Sequence, residues 1–347
     1  MTRRRLSAVA AALISAAAVA GCGIGAGSTS EGDAFLSVTR DFGGQTLLEA
    51  TVNDPAASET VARFLDREAE VEASYGGNFI DQIDGLSGAS HGGQRADWFF
   101  YVNGYWSPVG AAEARVRSGD RVWWDYRRWE AAYRVPAVVG SWPEPFASGF
   151  DGRRFPTSVD CRAAQEICEE ASERLVEAGA ALLDSTTASG GQDRGPSADA
   201  NGDGEPARGA EELRVLIGSW PDVRSDPAAR LLSSGPPTSG VYGRFETGGG
   251  SWELVGLDER GEERERFGAG AGLVGAVRVG EGQPTWLVTG VDEVGVGAAV
   301  AMLAASSLEG RYAVAVAPQR ALEDDAAAGA TAVREMALPL AQAPEGP

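Results

Sequence analysis

Residues 97–129 read DWFFYVNGYWSPVGAAEARVRSGDRVWWDYRRW and contain five of the nine tryptophans of the chain. Asn103-Gly104 lies between two runs of aromatic and β-branched residues. This predicts a hairpin with a type I′ turn, because both central residues of that turn need a positive φ. Ser118-Gly119-Asp120 predicts a second turn, which leads into a strand over 121–127. Alternate residues of a strand point to opposite faces, and here both faces carry a tryptophan. At least one face is therefore expected to contact another layer, a ligand or a partner.

The order of the motifs along this region resembles that of a known family. W-x-x-Y-V-N-G at 98–104, V-G-A at 109–111 and S-G-D-R-V-W-W-D-Y at 118–126 resemble the transcobalamin C-terminal-like domain of bacterial surface lipoproteins. The resemblance covers residues 35–130 and implies a small β-grasp-type domain with a helix at 59–65. Animal relatives bind cobalamin, so the resemblance implies a corrinoid-like ligand, although most bacterial relatives have no assigned ligand.

Composition and charge exclude several classes of function. The formal net charge is −20, and all 30 basic residues are arginine. Contacts to phosphates need a basic face, so nucleic acid is not an expected partner. His91 is the only histidine, which excludes metal sites built from several imidazoles, and its loop carries no nucleophile motif. We therefore expect neither a catalytic residue nor a metal site, and paired carboxylates among the 50 acidic residues are the alternative left open.

The amino-terminal residues read as a targeting segment. Three arginines precede an apolar, alanine-rich stretch of 15 residues, which is too short to span a membrane. Val19-Ala20-Gly21-Cys22 matches the bacterial lipobox, in which the cysteine receives a diacylglyceryl group before cleavage. The sequence thus predicts a signal peptide at 1–21 and a lipidated Cys22 with a flexible tether over 22–34. We expect the protein to be anchored in the cell membrane through this lipid, on its extracytoplasmic face.

Residues 135–337 are expected to form a separate α/β domain with a mixed or parallel sheet, which makes the fold class of the whole chain α+β. The tetrapeptide GSWP occurs at 140–143 and again at 218–221, each time after a short apolar run. This repeat predicts two parallel strands with matching loops at the edge where open α/β sheets bind ligands. The alternative is that each tryptophan packs in the core while the proline ends the strand.

Other parts of this region carry weaker patterns. Helices are expected at 161–183 and 318–336, whereas 185–210 has almost nothing apolar to bury and is expected to be disordered, as is the tail at 338–347. Residues 199–204 resemble the opening of a calcium loop, but the twelfth position is Ala210 where a bidentate glutamate is needed.

Cys161 and Cys168 are the two cysteines that remain after the lipobox. An even pair outside the cytoplasm favours a disulfide. Seven residues along one helix would separate the Cα atoms by about 10.5 Å, and a disulfide needs less than 7 Å. The bond therefore requires Cys161 to precede the helix.

Aromatic side chains are the candidate ligand-binding groups. The candidates are Tyr75, Phe99, Tyr101, Tyr105, Trp106, Trp123, Trp142 and Trp220. With the lipid anchor, they favour a lipoprotein that binds a small, ring-containing ligand and passes a nutrient to a membrane importer. The alternative is an envelope module that binds another protein and no small ligand, in which case the aromatic residues form a flat exposed patch. Core packing of the same side chains is the third interpretation.

Overall fold

A computed structural model describes residues 32–88, 90–91, 94–183, 212–319 and 333–341. Several predictions lie outside these residues: the signal peptide at 1–21, the lipidated Cys22, most of the tether, the segment 185–210 and the end of the tail. The tether prediction runs two residues too far, because the first strand begins at Asp33. No helix in the described part of the chain is long and apolar enough to cross a membrane.

The first structural unit spans residues 33–128. Its elements are β1 (Asp33–Arg40), β2 (Gln45–Asn53), α1 (Val61–Glu68), β3 (Val71–Ser74), β4 (Phe79–Ile83), β5 (Leu86–Ser87), β6 (Ser90–His91), β7 (Gln94–Val102), β8 (Tyr105–Trp106) and β9 (Arg121–Arg128). The main sheet has the order β2-β1-β9-β7-β6, with β1 and β9 parallel and the pairs β1–β2 and β7–β9 antiparallel. This arrangement, with one helix on the sheet, matches the β-grasp-type fold that was expected.

The Asn103-Gly104 turn forms as the sequence predicts, with φ values of 53° and 81°. The Asn103 side chain also forms three hydrogen bonds. Its amide donates to Asp120 and to the Gly149 carbonyl, and its oxygen accepts from the Arg121 backbone N–H, each at 2.8 Å. The first hairpin is therefore joined to the start of β9 by one buried side chain.

The helix α1 packs on one face of this sheet. Thr60 caps its first turn by accepting from the Arg63 N–H, and Val61, Phe64 and Leu65 are fully buried. They pack in a cluster with Leu36, Val38, Trp98, Phe100, Val122 and Trp124. One face of β9 therefore packs in the core of the first unit.

The second unit follows and contains a larger sheet. Its elements are β10 (Pro156–Arg162), α2 (Gln165–Glu177), β11 (Ala181–Leu182), β12 (Leu213–Ser219), α3 (Trp220–Val223), α4 (Pro227–Ser233), α5 (Pro236–Ser239), β13 (Gly243–Gly248), β14 (Ser251–Leu257), β15 (Glu263–Phe267), β16 (Gly272–Arg278), β17 (Pro284–Gly290), α6 (Glu293–Ala301), α7 (Ala305–Leu308), β18 (Ala313–Pro318) and β19 (Val333–Leu338). The large sheet has the order β11-β10-β12-β17-β16-β18-β19. Its β11-β10-β12-β17 half is parallel and the remainder is antiparallel, so the prediction of an α+β chain with a mixed sheet is confirmed.

Three predictions about this unit are wrong. The helix expected over 161–183 is β10, a shorter α2 and β11, because Cys161 belongs to a strand. The helix expected at 318–336 is contradicted at both of its described ends, because Pro318 belongs to β18 and residues 333–336 belong to β19, while residues 320–332 lie outside the described part of the chain. The expected disordered tail starts with ordered residues, since the Leu340 N–H donates to the Leu257 carbonyl at 2.8 Å.

The first GSWP tetrapeptide does not follow a strand of the large sheet. Residues 135–139 run beside the first hairpin, where the Val138 N–H donates to the Gly104 carbonyl at 2.9 Å. The second tetrapeptide forms the end of a strand, since Gly218 and Ser219 close β12 and Trp220 begins α3. The predicted pair of matching strand ends is therefore wrong, because the hairpin of the first unit holds the first apolar run.

Cys161 and Cys168 form a disulfide with their Cα atoms 5.8 Å apart. Cys161 lies near the end of β10 and Cys168 in the first turn of α2. The chain folds back between strand and helix, which brings the two cysteines within the range that a disulfide needs.

Candidate functional site

The second face of β9 joins the two units. Trp123, Asp125 and Arg127 alternate with the core residues. Trp123 packs in one cluster with side chains of the second unit, and Tyr312 of that unit contacts both Asp125 and Arg127. Phe99 and Tyr101 on β7 belong to the same cluster. The contact is buried and aromatic, so the two units form one body along this half of the sheet.

Asp125 is the centre of a buried hydrogen-bond network at this contact. The Asp125 carboxylate accepts from the Thr39 hydroxyl at 2.6 Å, from the Phe42 and Gly43 N–H groups at 3.1 Å, and from the Tyr312 hydroxyl at 3.0 Å. Burial raises the pKa of Asp125, while these donors and the nearby Arg127 act in the opposite direction. This network fixes how the two units are oriented at the contact, in addition to the apolar packing there.

The other half of the same sheet face, on β1 and β2, is not covered. A cleft of about 770 Å³ lies there between the strands of the first unit and the surface of the second unit. The lining includes Phe35, Ser37, Glu49, Thr51, Arg121, Trp123, Ser141, Ser306 and Glu309. One wall is therefore a strand surface, and the other wall comes from α7 with its following turn and from the first GSWP tetrapeptide.

Strand register places the lining side chains in rows. Phe35 lies between Thr51 on β2 and Arg121 on β9, and in the next row Ser37 lies between Glu49 and Trp123. Residues that lie opposite each other share a face of the sheet, so all of these side chains face the cleft. Phe35 is 39% exposed there, which leaves part of its ring free for a ligand.

The single cation among these lining residues is already paired. The Arg121 guanidinium forms an ion pair of 2.5 Å with Glu309, which spans the cleft from one unit to the other. It also lies over the Phe35 ring, 5.1 Å from the centroid. Glu49, by contrast, forms no ion pair with another described residue.

The first GSWP tetrapeptide contributes Gly140 and Ser141 to the wall opposite the strands. The Gly310 N–H donates to the Gly140 carbonyl at 2.9 Å, which joins this segment to the turn after α7. A Cβ at Gly140 would lie 2.6 Å from the Arg311 nitrogen, so only glycine allows this close approach. The next residue, Ser141, is only 2% exposed, and its hydroxyl has no hydrogen-bond partner among the described residues.

The structure places the predicted aromatic site residues in several different environments. Of the eight, only Trp123 lines the cleft, and its indole N–H donates to the Thr39 hydroxyl at 2.8 Å. Phe99 and Tyr101 lie beside it but are buried in the contact between the units. Tyr75 lies apart at a surface turn, 85% exposed with a φ of 49°.

The remaining four pack against other side chains. Tyr105 stacks on Phe150 with ring centroids 4.2 Å apart, and Trp106 is half-buried against Tyr133. Trp142 packs with Phe146 and Trp286, and Trp220 stacks on Phe245. Trp142 and Trp220 belong to different core clusters, so the two GSWP tryptophans do not share a cavity.

Sequence reasoning missed most of the cleft. Phe35, Glu49 and Thr51 carry no motif, and alternation along β1 and β2 shows only that they share a face. The GSWP repeat was the one available signal, since it marks Gly140 and Ser141, but it directed attention to the tryptophan instead. The cleft is made by contacts between distant segments, which a local pattern does not reveal.

A metal centre of the usual kind is absent from the described residues, where no group of three or more histidine, cysteine, aspartate or glutamate side chains could hold an ion. The side chain of His91 and the calcium-like segment at 199–204 lie outside that part of the chain. The described cleft thus offers hydroxyls, one exposed aromatic ring and separate carboxylates.

Comparisons with known proteins cover the first unit. Residues 58–128 match a family described as a domain of unknown function, DUF4430. No curated protein matches the chain. One similar solved structure is the crystal structure of a "putative metal binding protein" from Ruminococcus gnavus, 17% identical, which covers 28% of this chain and 99% of that chain with a TM-score of 0.23. The transcobalamin-like assignment remains a prediction from the motifs.

Proposed function

We propose that this protein is a membrane-anchored lipoprotein of the extracytoplasmic face that binds a small ligand in the cleft between its two units. The observation that carries the binding role is the cleft itself, about 770 Å³ in volume with a buried, unpartnered Ser141 hydroxyl in its lining. Ligand sites in proteins are concave, have volumes of roughly 300–1,000 Å³ and combine apolar surface with a few polar groups.

The contact between the units supports this role. A preformed site loses little free energy to ordering when a ligand enters, because the walls are already held in place. Here the Asp125 network and the Arg121–Glu309 ion pair hold the walls from two sides. These contacts support a cleft whose walls are already in place before a ligand enters.

The identity of the ligand is a separate part of the proposal. A corrinoid follows from the motif resemblance of residues 35–130, and delivery to a membrane importer follows from the anchor. Most aromatic side chains that were expected to stack on a flat ring system are packed in the protein, and Phe35 is the exposed ring in the cleft. Cobalamin and cobinamide therefore enter the experiment as two probes among others.

Ligand binding is tested by thermal unfolding with a panel of corrinoids, sugars, amino sugars and amino acids. At ten times its Kd, a true ligand adds about 1.4 kcal/mol to the free energy of unfolding and raises Tm by roughly 3–5 °C. Thr51→Trp, which fills the cleft, is expected to abolish this shift. Thr247→Trp, at an exposed strand position on β13 away from the cleft, is expected to retain it. A shift that survives in both variants would place the site elsewhere.

The anchor is tested by fractionation of cells that produce the full chain. We expect the wild-type protein to sediment with membranes, because two acyl chains bury enough CH₂ groups for stable anchoring. Cys22→Ser is expected to move the protein to the soluble fraction, whereas Ser28→Ala in the same segment leaves it with the membranes. Recovery of both variants in the same fraction would exclude lipidation at Cys22.

One observation favours the alternative of a protein-binding module. The strand β2 is an edge of its sheet, and Leu47 on it is 43% exposed. Unpaired N–H and C=O groups at such an edge can pair with an extended segment of another protein. This alternative predicts that an envelope protein binds equally well to the wild type and to Thr51→Trp when no small ligand is present.

A further inference from the structure

We infer that the cleft selects a ligand that carries a positive charge on a polar, hydroxyl-bearing body, and that Glu49 pairs with that charge. This inference rests on the proposed ligand-binding role and names the chemical class of the ligand. It follows from four features of the cleft, which are its charge balance, its free hydroxyls, its exposed ring and the surrounding field.

The charge balance of the lining is negative. Arg121 and Glu309 neutralise each other through their ion pair, and Arg121 is further engaged with Phe35. Glu49 keeps its charge without a described partner. An anionic ligand would meet two carboxylates and a cation that is already paired, whereas a cationic ligand finds one unpaired carboxylate.

The lining hydroxyls are available for hydrogen bonds. The side chains of Ser37, Thr51 and Ser306 form no hydrogen bond to another described residue, and the buried Ser141 hydroxyl has none either. A buried hydroxyl without a partner is destabilising, and a ligand group in hydrogen-bonding range would satisfy it. Ser37 lies directly opposite Glu49, so the carboxylate and a free hydroxyl are neighbours on the sheet.

The lining favours an organic cation over a metal ion. Calcium takes six to eight oxygen ligands, several of them carboxylates, and the described residues include no group of three or more acidic, histidine or cysteine side chains that could hold a metal ion. An amine needs only one carboxylate and a few acceptors. The Phe35 ring adds a surface on which an organic body or a cation packs.

The charge of the whole chain acts in the same direction. A formal net charge of −20 creates a negative potential that raises the local concentration of cations and repels anions. The long-range field and the unpaired Glu49 therefore favour the same class of ligand. The field depends on ionic strength, so the preference is expected to weaken as salt rises.

Calorimetric titration with matched pairs of probes tests this inference. The pairs are glucosamine with N-acetylglucosamine, and putrescine with 1,4-butanediol, so that each amine has a neutral counterpart of similar size. We expect the wild type to bind at least one amine about five-fold more tightly than its neutral counterpart, which is the upper range for one exposed ion pair. Glu49→Gln is expected to remove this preference, because the amide carries no charge to pair with the amine.

The control is Glu177→Gln, which removes the same charge from an exposed position at the end of α2 and is expected to preserve the preference. Equal affinity for amine and neutral probe in the wild type would overturn this inference and leave the binding role intact. A preference that survives Glu49→Gln would also overturn it. If no amine binds but a neutral or anionic compound raises the Tm of the wild type and not of Thr51→Trp, only this inference fails. If no compound raises the Tm in this way, both proposals fail.

Discussion

Replacing Asp125 with alanine is expected to lower the free energy of unfolding by about 3–5 kcal/mol. The side chain is fully buried between the two units and accepts four hydrogen bonds, two on each carboxylate oxygen. Alanine would remove the acceptor of the Phe42, Gly43 and Tyr312 donors and the shorter of the two hydrogen bonds that the Thr39 hydroxyl donates. It would also leave the buried Arg127 without its nearby negative charge. Denaturant unfolding followed by tryptophan fluorescence measures the change.

Two further variants identify the cause of that loss. Tyr312→Phe removes one of the four donors and is expected to cost about 1–2 kcal/mol. Glu49→Ala removes a carboxylate from the exposed half of the same sheet and is expected to change stability by less than about 0.5 kcal/mol. If Asp125→Ala were as stable as Glu49→Ala, the buried network would contribute nothing to the joining of the units.

The pH dependence of Asp125 has a definite sign. Burial raises its pKa in the folded protein above the usual value for aspartate. The contribution of this group to stability is therefore full below the unfolded pKa. It decreases as pH rises from there to the folded pKa, because the unfolded chain ionises first. Asp125→Asn removes this titration, and it also turns one acceptor oxygen into a donor that faces the Phe42 N–H or the Gly43 N–H.

The hairpin and β9 were predictable because their signals are local. Asn103-Gly104 demands a turn with positive φ whatever surrounds it, and alternation along β9 assigns Trp123 and Trp124 to opposite faces. The prediction that one face contacts another layer is confirmed, since Trp123 packs against the second unit. The sequence pattern did not distinguish that outcome from ligand stacking, because a buried face needs large apolar side chains in either case.

Other elements depended on contacts that no local pattern encodes. Residues 135–139 have the composition of a buried strand, yet the Gly104 carbonyl holds them beside the first hairpin. Cys161 belongs to a strand because β10 extends the parallel half of the sheet beside β12. The cleft arises because the second unit covers only half of a sheet face, and Trp123 lies at the boundary, since it lines the cleft and also packs against the second unit.

Phe42→Ala is expected to lower the free energy of unfolding by about 3–5 kcal/mol, as is usual for a buried phenylalanine. Phe42 lies in the turn between β1 and β2 with a φ of 59°, a conformation that is unfavourable for an aromatic residue. The protein retains it because the ring is only 5% exposed and contacts the Tyr242 and Tyr312 rings edge-on, each with centroids 5.1 Å apart. Thermal and denaturant unfolding measure the loss.

Phe35→Ala is the matched control, since it removes the same kind of ring from β1, in the half of the sheet face that the second unit leaves uncovered. It is expected to cost less than about 1 kcal/mol, because 39% of the residue is already exposed. Its effect should appear in binding, as a weaker thermal shift with whichever compound the wild type binds, because Phe35 supplies the exposed ring of the cleft. Equal losses of stability in the two variants would mean that the ring of Phe35 belongs to the scaffold, and an unchanged thermal shift in Phe35→Ala would exclude this ring from the site.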